Sequence, residues 1–294
     1  MVSEISILIP VFNQPVLALV QRLHQQATAL PISFEIRVYD DGSNSETKIQ
    51  NQAVAALAQV VYQELPQNLG RTQIRLKLAR DAKFPNLLFL DNDVLPVQDS
   101  FLQTYVQEDS SGIMVGGVTY ADTCLPGTEL RWKYGREREQ ANAEQRQKAP
   151  YQRVFFSNLL APKDLFLKYF SGNALQGYGH EDTLFAFELQ QANIQVKHLD
   201  NPVWHLGLEA APVFLDKTKQ ALQNLVLLQQ KLGLGQETRL FQLYFKLKRF
   251  RVLGILNLNS SWLLPLLEKQ LQGKKPSLYA FDVYRLLWLS QNLK

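Results

Sequence analysis

Leu87-Leu88-Phe89-Leu90-Asp91-Asn92-Asp93 is an apolar run that ends in two carboxylates one residue apart. Four consecutive large apolar side chains suit a strand covered on both faces, as in a parallel sheet. The two acids then fall at the rim of that sheet, where open α/β folds bind their ligands. Paired carboxylates suit hard divalent cations such as Mg²⁺ or Mn²⁺, which often share their shell with substrate phosphates. Asp-x-Asp alone is unspecific. Its position at the end of a fourth strand gives it meaning.

Working outward, residues 5–11 form a first apolar run, ended by Pro10 and Asn13. Val16, Leu19, Val20, Leu23, Ala27 and Leu30 follow at helical spacing. Residues 34–39 read as a second strand, stopped by Asp40-Asp41-Gly42-Ser43, and Ser45 is placed to cap a helix running to Leu57. Residues 60–63 give a third strand, residues 72–82 a helix and residues 86–90 the fourth strand. Four such alternations predict parallel βαβ units with right-handed crossovers. Beyond Asp93, residues 113–120 and 154–156 read as strands, as do 194–199 and 203–206, before a helix over 213–232. Residues 136–149 are polar and free of Gly and Pro. They fit a solvated helix or, the reading favoured here, a flap that orders on binding. Gly233 and Gly235 mark a break before the C-terminal segment, and no internal repeat is evident.

The 294 residues, 46% apolar and 20% charged, describe an ordinary globular chain. Its one cysteine, Cys124, excludes an internal disulfide and a multi-cysteine metal site, and fits a reducing compartment. A strand begins almost at the first residue, so no secretory leader is expected, and no apolar run is long enough to span a bilayer. The expected location is the cytoplasm or the cytoplasmic membrane face. The net charge of +4 is uneven: residues 239–294 carry +8, leaving −4 for the remainder. Lys246, Lys248, Arg249 and Arg251 lie among Phe241, Leu243, Tyr244, Phe245, Leu247 and Phe250, with Trp262, Leu263, Leu264, Leu266 and Leu267 beyond. Such a tail either docks on an anionic membrane surface or packs on the body with a solvated basic face. Nothing points to a nucleic-acid partner.

Three loops should share the edge that carries Asp91 and Asp93: Pro10-Val11-Phe12-Asn13, Asp40-Asp41-Gly42-Ser43 and Asn68-Leu69-Gly70-Arg71. Asp41 can accept a hydrogen bond from a base N–H with Phe12 stacked beside that base, although for Asp-Asp-Gly-Ser taken alone a turn with a helix cap is the favoured reading. Arg71 and Arg75, four apart on one helix face, can both point at a diphosphate or form a solvated face. Gly177-Tyr178-Gly179-His180-Glu181-Asp182 precedes a helical run. Its glycines allow close backbone approach to a ligand, and its acids are stabilised as anions at a helix N-terminus. One of them can serve as a general base or simply as a cap. His205 ends a short strand and is either a third metal donor or a structural residue; His24 and His198 read as structural.

In this order these blocks resemble family 2 glycosyltransferases of the GT-A fold. The resemblance rests on Ile7-Leu8-Ile9-Pro10-Val11-Phe12-Asn13, the Asp40–Ser43 turn, Asn68-Leu69-Gly70-Arg71, Leu90-Asp91-Asn92-Asp93, Gly177–Asp182 with its Glu-Asp motif, and His205. It covers roughly residues 3–232. The fold implied is a single α/β domain over 1–232, with a mostly parallel nucleotide-binding sheet flanked by helices. Its nucleotide half is 1–95, its acceptor half 96–232, and a basic amphipathic helical appendage follows over 233–294. The activity implied is an inverting, metal-dependent transfer from a nucleoside diphosphate sugar, UDP-hexose or UDP-HexNAc favoured, to a glycan or lipid-linked acceptor in cell-surface polysaccharide synthesis. The resemblance gives Pro10, Phe12, Asn13, Asp41, Gly70, Arg71, Arg75, Asp91, Asn92 and Asp93 to the donor. It gives Asp91, Asp93 and His205 to Mn²⁺ or Mg²⁺, and Gly177, Tyr178, Gly179 and His180 to the acceptor. Asp182 would be the base, with Glu181 beside it. Leu76 departs from the Asn often found there, and Tyr178 from a frequent Trp. Thr183-Leu184 replaces the further acids of galactose-type relatives, which speaks against a galactose donor. The rivals are a silent glycan-binding or scaffold protein on the same fold, opposed by the intact acids, and a sugar nucleotidyltransferase. The latter usually shows a Gly-rich basic loop after its first strand, unlike Val11-Phe12-Asn13-Gln14.

Overall fold

The computed structural model describes residues 2–109, 111–171, 177–235, 238–250, 253–254 and 260–293. They form two compact units. The first comprises residues 1–120, 139–172 and 181–207; the second comprises 121–138, 173–180 and 208–294.

The first unit opens with the expected alternation. Strand β1 (Glu4–Val11), helix α1 (Leu17–Thr28), β2 (Ser33–Asp40), α2 (Ser45–Asn51), β3 (Val60–Glu64), α3 (Arg71–Asp81) and β4 (Asn86–Phe89) follow in turn. β5 (Val94–Pro96), α4 (Phe101–Gln107), β6 (Ile113–Val115) and β7 (Val118–Thr119) come next. The second unit then contributes α5 (Glu129–Tyr134). Returning to the first, the chain forms α6 (Ala143–Gln147), β8 (Leu159–Pro162), α7 (Lys163–Tyr169), α8 (Glu181–Gln191), β9 (Val196–His198) and β10 (Val203–His205). The main sheet has the order β3-β2-β1-β4-β8-β6-β9, and a small sheet the order β5-β10-β7. β1 to β4 are mutually parallel where they pair, and β8 runs antiparallel to both β4 and β6. Ile5, Ile7, Leu8 and Ile9 of β1 are fully buried, as expected of a central strand covered on both faces. All four parallel strands therefore deliver their C-terminal loops to one edge.

Beneath β4 lies an aromatic cluster of Phe89, Phe156, Phe166, Phe170 and Phe185, with centroid separations of 4.5–6.0 Å. Each such ring buried in full stabilises the fold by about 1.5–3 kcal/mol.

The structure corrects four local expectations. Asn44, not Ser45, caps α2, accepting from Thr47 N; the helix stops at Asn51 and passes into a tight 3₁₀ turn over Gln52–Ala56. Residues 113–120 make two short strands rather than one. A Cβ on Gly116 would sit 2.4 Å from Asn158 Nδ2, and Gly117 has φ +87°, so the backbone breaks there to let Asn158 in. Residues 154–156 are not a strand: Phe156–Asn158 is a 3₁₀ turn. Its fully buried Asn158 donates to Gly117 O (2.9 Å) and Asn201 O (2.8 Å) and accepts from Tyr105 Oη (2.7 Å), so a side chain takes over work a ladder would do.

Residues 136–149 are the fourth case, for they are helical rather than a flap: a wide π turn covers Gly135–Glu139, and α6 follows. Arg146 explains the order. It is buried, donates to Gly116 O (3.1 Å), Leu199 O (2.6 Å) and Ala141 O, and its Nε–H points at His198 Nδ1 (3.2 Å). His198 Nε2 in turn meets Pro150 O at 2.9 Å, and burial keeps this imidazole below its ordinary pKa. A buried guanidinium satisfied by carbonyls is invisible to hydropathy patterning, which registers only a polar segment.

The second unit is helical: α5, α9 (Ala211–Leu232), α10 (Arg239–Arg249), α11 (Ser260–Leu271) and α12 (Leu278–Asn292). Gly233, at φ 67°, closes α9 with the left-handed residue such caps need. One core gathers Leu130, Phe214, Leu215, Leu271, Phe281 and Tyr284; another gathers Leu222, Leu225, Phe241, Tyr244, Leu286 and Leu289. Phe241 and Tyr244 of the basic tail thus pack inward. Among the described residues no helix is long and apolar enough to cross a membrane.

Candidate active site

The loops leaving β1, β2 and β3 are tied together at the C-terminal edge of the sheet. Asp41 N donates to Val11 O (2.7 Å), and Asn13, at φ 51°, donates its backbone N–H to Ser43 Oγ (2.8 Å) and accepts from Asn44 N on its Oδ1 (2.9 Å). Pro10 pairs in register with Tyr39. Phe12 remains 48% exposed, a ring free to stack. Asp40 Oδ1 accepts from Ser43 N (2.7 Å), so the turn reading of Asp-Asp-Gly-Ser is realised in the fold. Asp41 accepts from Leu69 N (2.6 Å) and Gly70 N (3.0 Å), while Asn68 Nδ2 donates to Asp41 O (2.9 Å). Burial pushes the Asp41 carboxyl above its usual pKa despite those two amides. A nucleotide base reaching Asp41 would share oxygens already in use. Gly42 has φ +77°, and a Cβ there would lie 2.9 Å from Asn68 N, so the turn and the loop can meet only at a glycine.

Helix α3 then carries the arginines in two different states. Arg71 is 44% exposed, with Nη1 3.9 Å from Glu181 Oε1. Arg75 is buried: it bonds Asp91 Oδ1 at 2.7 Å and Glu181 Oε1 at 3.4 Å, and its guanidinium lies 4.8 Å above the Phe156 ring. The expectation that both would point at a diphosphate suits Arg71 better; Arg75 is committed to carboxylates. Burial alone would raise the pKa of Asp91, but the Arg75 and Arg71 charges hold it below the ordinary carboxylate range. Asp182, the second residue of α8, is pushed up to about 8, by burial first and by the Glu181 charge next, with Arg75 opposing. The same cluster therefore keeps one carboxylate ionised and another protonated at neutral pH, the separation that acid–base chemistry uses.

Asn92 turns the corner from β4, and Asp93 faces the end of β10. His205 Nε2 stands 4.0 Å from Asp93 Oδ2, with the Tyr120 ring stacked on the imidazole at 5.5 Å. Leu206 N donates to Asp93 O (2.8 Å), and a Cβ on Gly207 would fall 2.2 Å from Asp93 Oδ2. Asp93 and His205 are thus brought together, as an oxygen and a nitrogen donor of the kind Mn²⁺ accepts. Asp91, the third expected ligand, is taken by Arg75. Among the described residues no three His, Cys, Asp or Glu gather closely enough to hold an ion unaided.

Residues 177–180 belong to the second unit and pack on α9. Asn224 Nδ2 donates to Tyr178 O (3.1 Å) and Gly179 O (3.0 Å), and the Lys217 ammonium lies 5.0 Å from the Tyr178 ring centroid. Gly179 has φ +98°, and a Cβ there would be 2.7 Å from Ala221 Cβ. Its close approach is to a helix rather than a ligand. Gly177 (φ +70°) and His180 (φ 70°) complete this left-handed loop.

Tyr120, Gly207 and Phe156 escaped the sequence reading. Gly207 had a signal, two residues past His205 in Val203-Trp204-His205-Leu206-Gly207. Tyr120 and Phe156 had none, since each meets its partner from a segment distant in sequence.

Residues 6–161, more than half of the chain, match the sequence profile described as Glycosyl transferase family 2. The chain belongs to that family. No curated protein matches its sequence. Among solved structures, that of S. aureus TarS 1-349 in complex with UDP is 15% identical, with a TM-score of 0.53; the match covers 98% of this chain and 91% of that one. The mannosyltransferase PcManGT from Pyrobaculum calidifontis, in complex with GDP-Man and Mn²⁺, is 12% identical, with a TM-score of 0.52; coverage is 75% of this chain and 62% of that one. At such identities the likeness shows the fold, that of GT-A glycosyltransferases. A family 2 glycosyltransferase is therefore the frame in which these carboxylates act.

Arg75 gives this enzyme a testable electrostatic dependence. Arg75→Met keeps the stem over Phe156 and removes the charge facing Asp91 and Glu181. Stripping one partner from a buried ion cluster should destabilise the fold by about 3–5 kcal/mol, read from chemical unfolding. The alkaline shift of Asp182 should also grow, so the rising limb of the pH–rate profile moves to higher pH. An unmoved profile would leave the titration of Asp182 out of the reaction or uncoupled from Arg75.

Proposed function

We propose that this glycosyltransferase moves a hexose or HexNAc from a nucleoside diphosphate sugar, UDP-linked, to a glycan or lipid-linked acceptor with inversion at the anomeric carbon. Cell-surface polysaccharide synthesis is the setting such an acceptor implies. The observation that carries the proposal is the carboxylate cluster at the sheet edge, with Asp182 raised in pKa beside ionised Asp91 and with Asp93 facing His205. The UDP complex of TarS and the GDP-Man and Mn²⁺ complex of PcManGT support a nucleotide-sugar donor and a divalent ion.

In this reading the ionised Asp182 carboxylate takes the proton from the acceptor hydroxyl as that oxygen attacks the anomeric carbon. The bond to the diphosphate breaks on the opposite face, and the diphosphate leaves with the electron pair. Arg71, more exposed than Arg75, meets the leaving phosphates. Phe12 offers its exposed ring to the base, and Asp41 and Asn13 hold that edge in shape. Asp93 and His205 would hold Mn²⁺ or Mg²⁺, which when bound supplies positive charge for the departing diphosphate. The family resemblance gives residues 177–180, which pack on α9 within the second unit, to the acceptor. Calorimetric titration with UDP and GDP, with and without Mn²⁺, tests the donor assignment: UDP should bind with a marked Mn²⁺ dependence, and absence of nucleotide binding overturns it.

The tail supports a location at the cytoplasmic membrane face. On α10 the outward side presents Leu243 (41% exposed) and, at its end, Phe250 (65%), with Lys246 and Arg249 exposed between them. Arg251, part of the same basic cluster, lies outside the described residues. Basic side chains near an anionic surface contribute about 1 kcal/mol each. The protein should float with anionic vesicles at low salt and be released by salt; Lys246→Ser/Lys248→Ser/Arg249→Ser should remain unbound. A wild type that never floats assigns α10 to packing and the acceptor to the soluble phase.

A further inference from the structure

The turn Lys274-Lys275-Pro276 sits in the basic C-terminal region, and the donor chemistry makes no use of it. Within the second unit it borders a cavity of about 390 Å³ that is also lined by Trp132, Lys133 and Arg136. Small-molecule sites fall in the range of about 300–1,000 Å³.

The walls are held in place before any ligand arrives. Trp132 Nε1 donates to Ala121 O (2.8 Å), and the Arg136 guanidinium lies 5.1 Å from the indole centroid while bonding Asp122 O at 3.1 Å. Opposite ends of one side chain clamp the lysine turn: Gln270 Nε2 donates to Lys275 O (3.1 Å), and Gln270 Oε1 accepts from Ser277 N (3.4 Å). Pro276 is buried, and its carbonyl accepts from Lys133 Nζ at 3.2 Å, which leaves two ammonium protons of Lys133 for another acceptor.

The electrostatic balance is positive. Four cations line the space against Glu129 and Glu137, and Glu129 already accepts from Gly127 N (2.8 Å). Lys274 and Lys275 are exposed, and among the described residues neither has an ion-pair partner. A concave wall with clustered ammonium groups and one aromatic plate differs from the convex outward side of α10. It suits a compact anion joined to a ring, because phosphate oxygens take charge-assisted bonds from ammonium groups and an indole covers an apolar ring face.

We propose that this cavity binds a phosphorylated carbohydrate, its phosphate taken by Lys133, Lys274 and Lys275 and its ring set against Trp132. A soluble sugar phosphate and a lipid-borne phosphorylated cyclitol or sugar headgroup present the same chemistry. The proposal is independent of the donor reading, since every residue involved belongs to the second unit and the carboxylate cluster belongs to the first.

The experiment uses the full chain and reads tryptophan fluorescence and calorimetry. Probes are glucose 6-phosphate, with glucose and inorganic phosphate as controls, and vesicles bearing phosphatidylinositol 4-phosphate against phosphatidylcholine alone. Glucose 6-phosphate should bind saturably and glucose should not. Lys274→Ser/Lys275→Ser should weaken that binding at least about tenfold with circular dichroism unchanged, and Trp132→Phe should remove the fluorescence response. Saturation by the soluble probe identifies a free ligand; saturation by phosphoinositide vesicles alone identifies a headgroup. Lack of binding to either, or equal affinity in the double lysine variant, overturns the proposal.

Discussion

Asp182→Asn should lower sugar transfer by about 10²–10⁴-fold while leaving nucleotide binding in place, the loss expected when a positioned general base is removed. Wild-type activity should rise with pH toward a plateau reached above about 8, because only the ionised Asp182 carboxylate can accept the proton. In the variant that rise should vanish. The same substitution makes a stability prediction with a definite sign. In the folded chain Asp182 holds its proton up to about pH 8, whereas an unfolded aspartate loses it near its model value of 3.8. The native state thus binds the extra proton between those limits, and stability declines as pH rises through that window. Asn carries no such liability. The melting temperature of Asp182→Asn should therefore exceed that of the wild type by a margin that widens from pH 5 to pH 9. Loss of activity with a gain in stability is the signature of a group held in an unfavourable state for chemistry. A variant that transfers normally and melts like the wild type would reduce Asp182 to a helix cap and pass the role to Glu181.

The parts of this fold legible in the sequence are those fixed by local pattern. Residues 7–9 and 87–90 are apolar without interruption because β1 and β4 are covered on both faces, and the punctuating Asp-Asp-Gly-Ser and Asn-Leu-Gly turns mark where the strands stop. The Asp91-Asn92-Asp93 rim was placed by the same logic. What escaped was determined by long-range polar contacts. Asn158 and Arg146 build turns by bonding backbone carbonyls far away in sequence, so Phe156–Asn158 and Ala143–Gln147 carry no periodic signature of their structure. Arg75 illustrates the limit within the site. Its spacing from Arg71 set both on one helix face, but only packing decides that one is buried between Asp91 and Glu181 and the other stays accessible. Gly179 is a related case: its left-handed backbone was foreseeable, its neighbour Ala221 was not.

Asp93→Ala should abolish the Mn²⁺-dependent part of nucleotide affinity. Asp93 and His205 face each other across 4.0 Å; the bare backbone of Gly207 packs on the Asp93 side chain, where a Cβ would come within 2.2 Å of Oδ2, and the Tyr120 ring stacks on the imidazole. Asp93 and His205 alone would leave much of a Mn²⁺ or Mg²⁺ shell unfilled, and such ions usually share substrate phosphates, so metal and nucleotide should bind as a pair. Their affinities are then linked: each should raise the other by the same factor. Removal of an outer partner of a metal ligand already costs about 10–100-fold in affinity, so deletion of a ligand should cost at least about 100-fold. The expected calorimetric result is a large drop in UDP affinity with Mn²⁺ present and little change in its absence. His205→Ala should show the same pattern more weakly, because a neutral imidazole contributes less charge than a carboxylate. Asp91→Asn should behave differently. Asp91 is bonded to Arg75, so its loss should disturb the Asp182 pH profile more than the metal dependence. Equal UDP–Mn²⁺ affinity in Asp93→Ala and wild type would remove Asp93 and His205 from the donor site and leave Arg71 and the sheet-edge loops to hold the diphosphate alone.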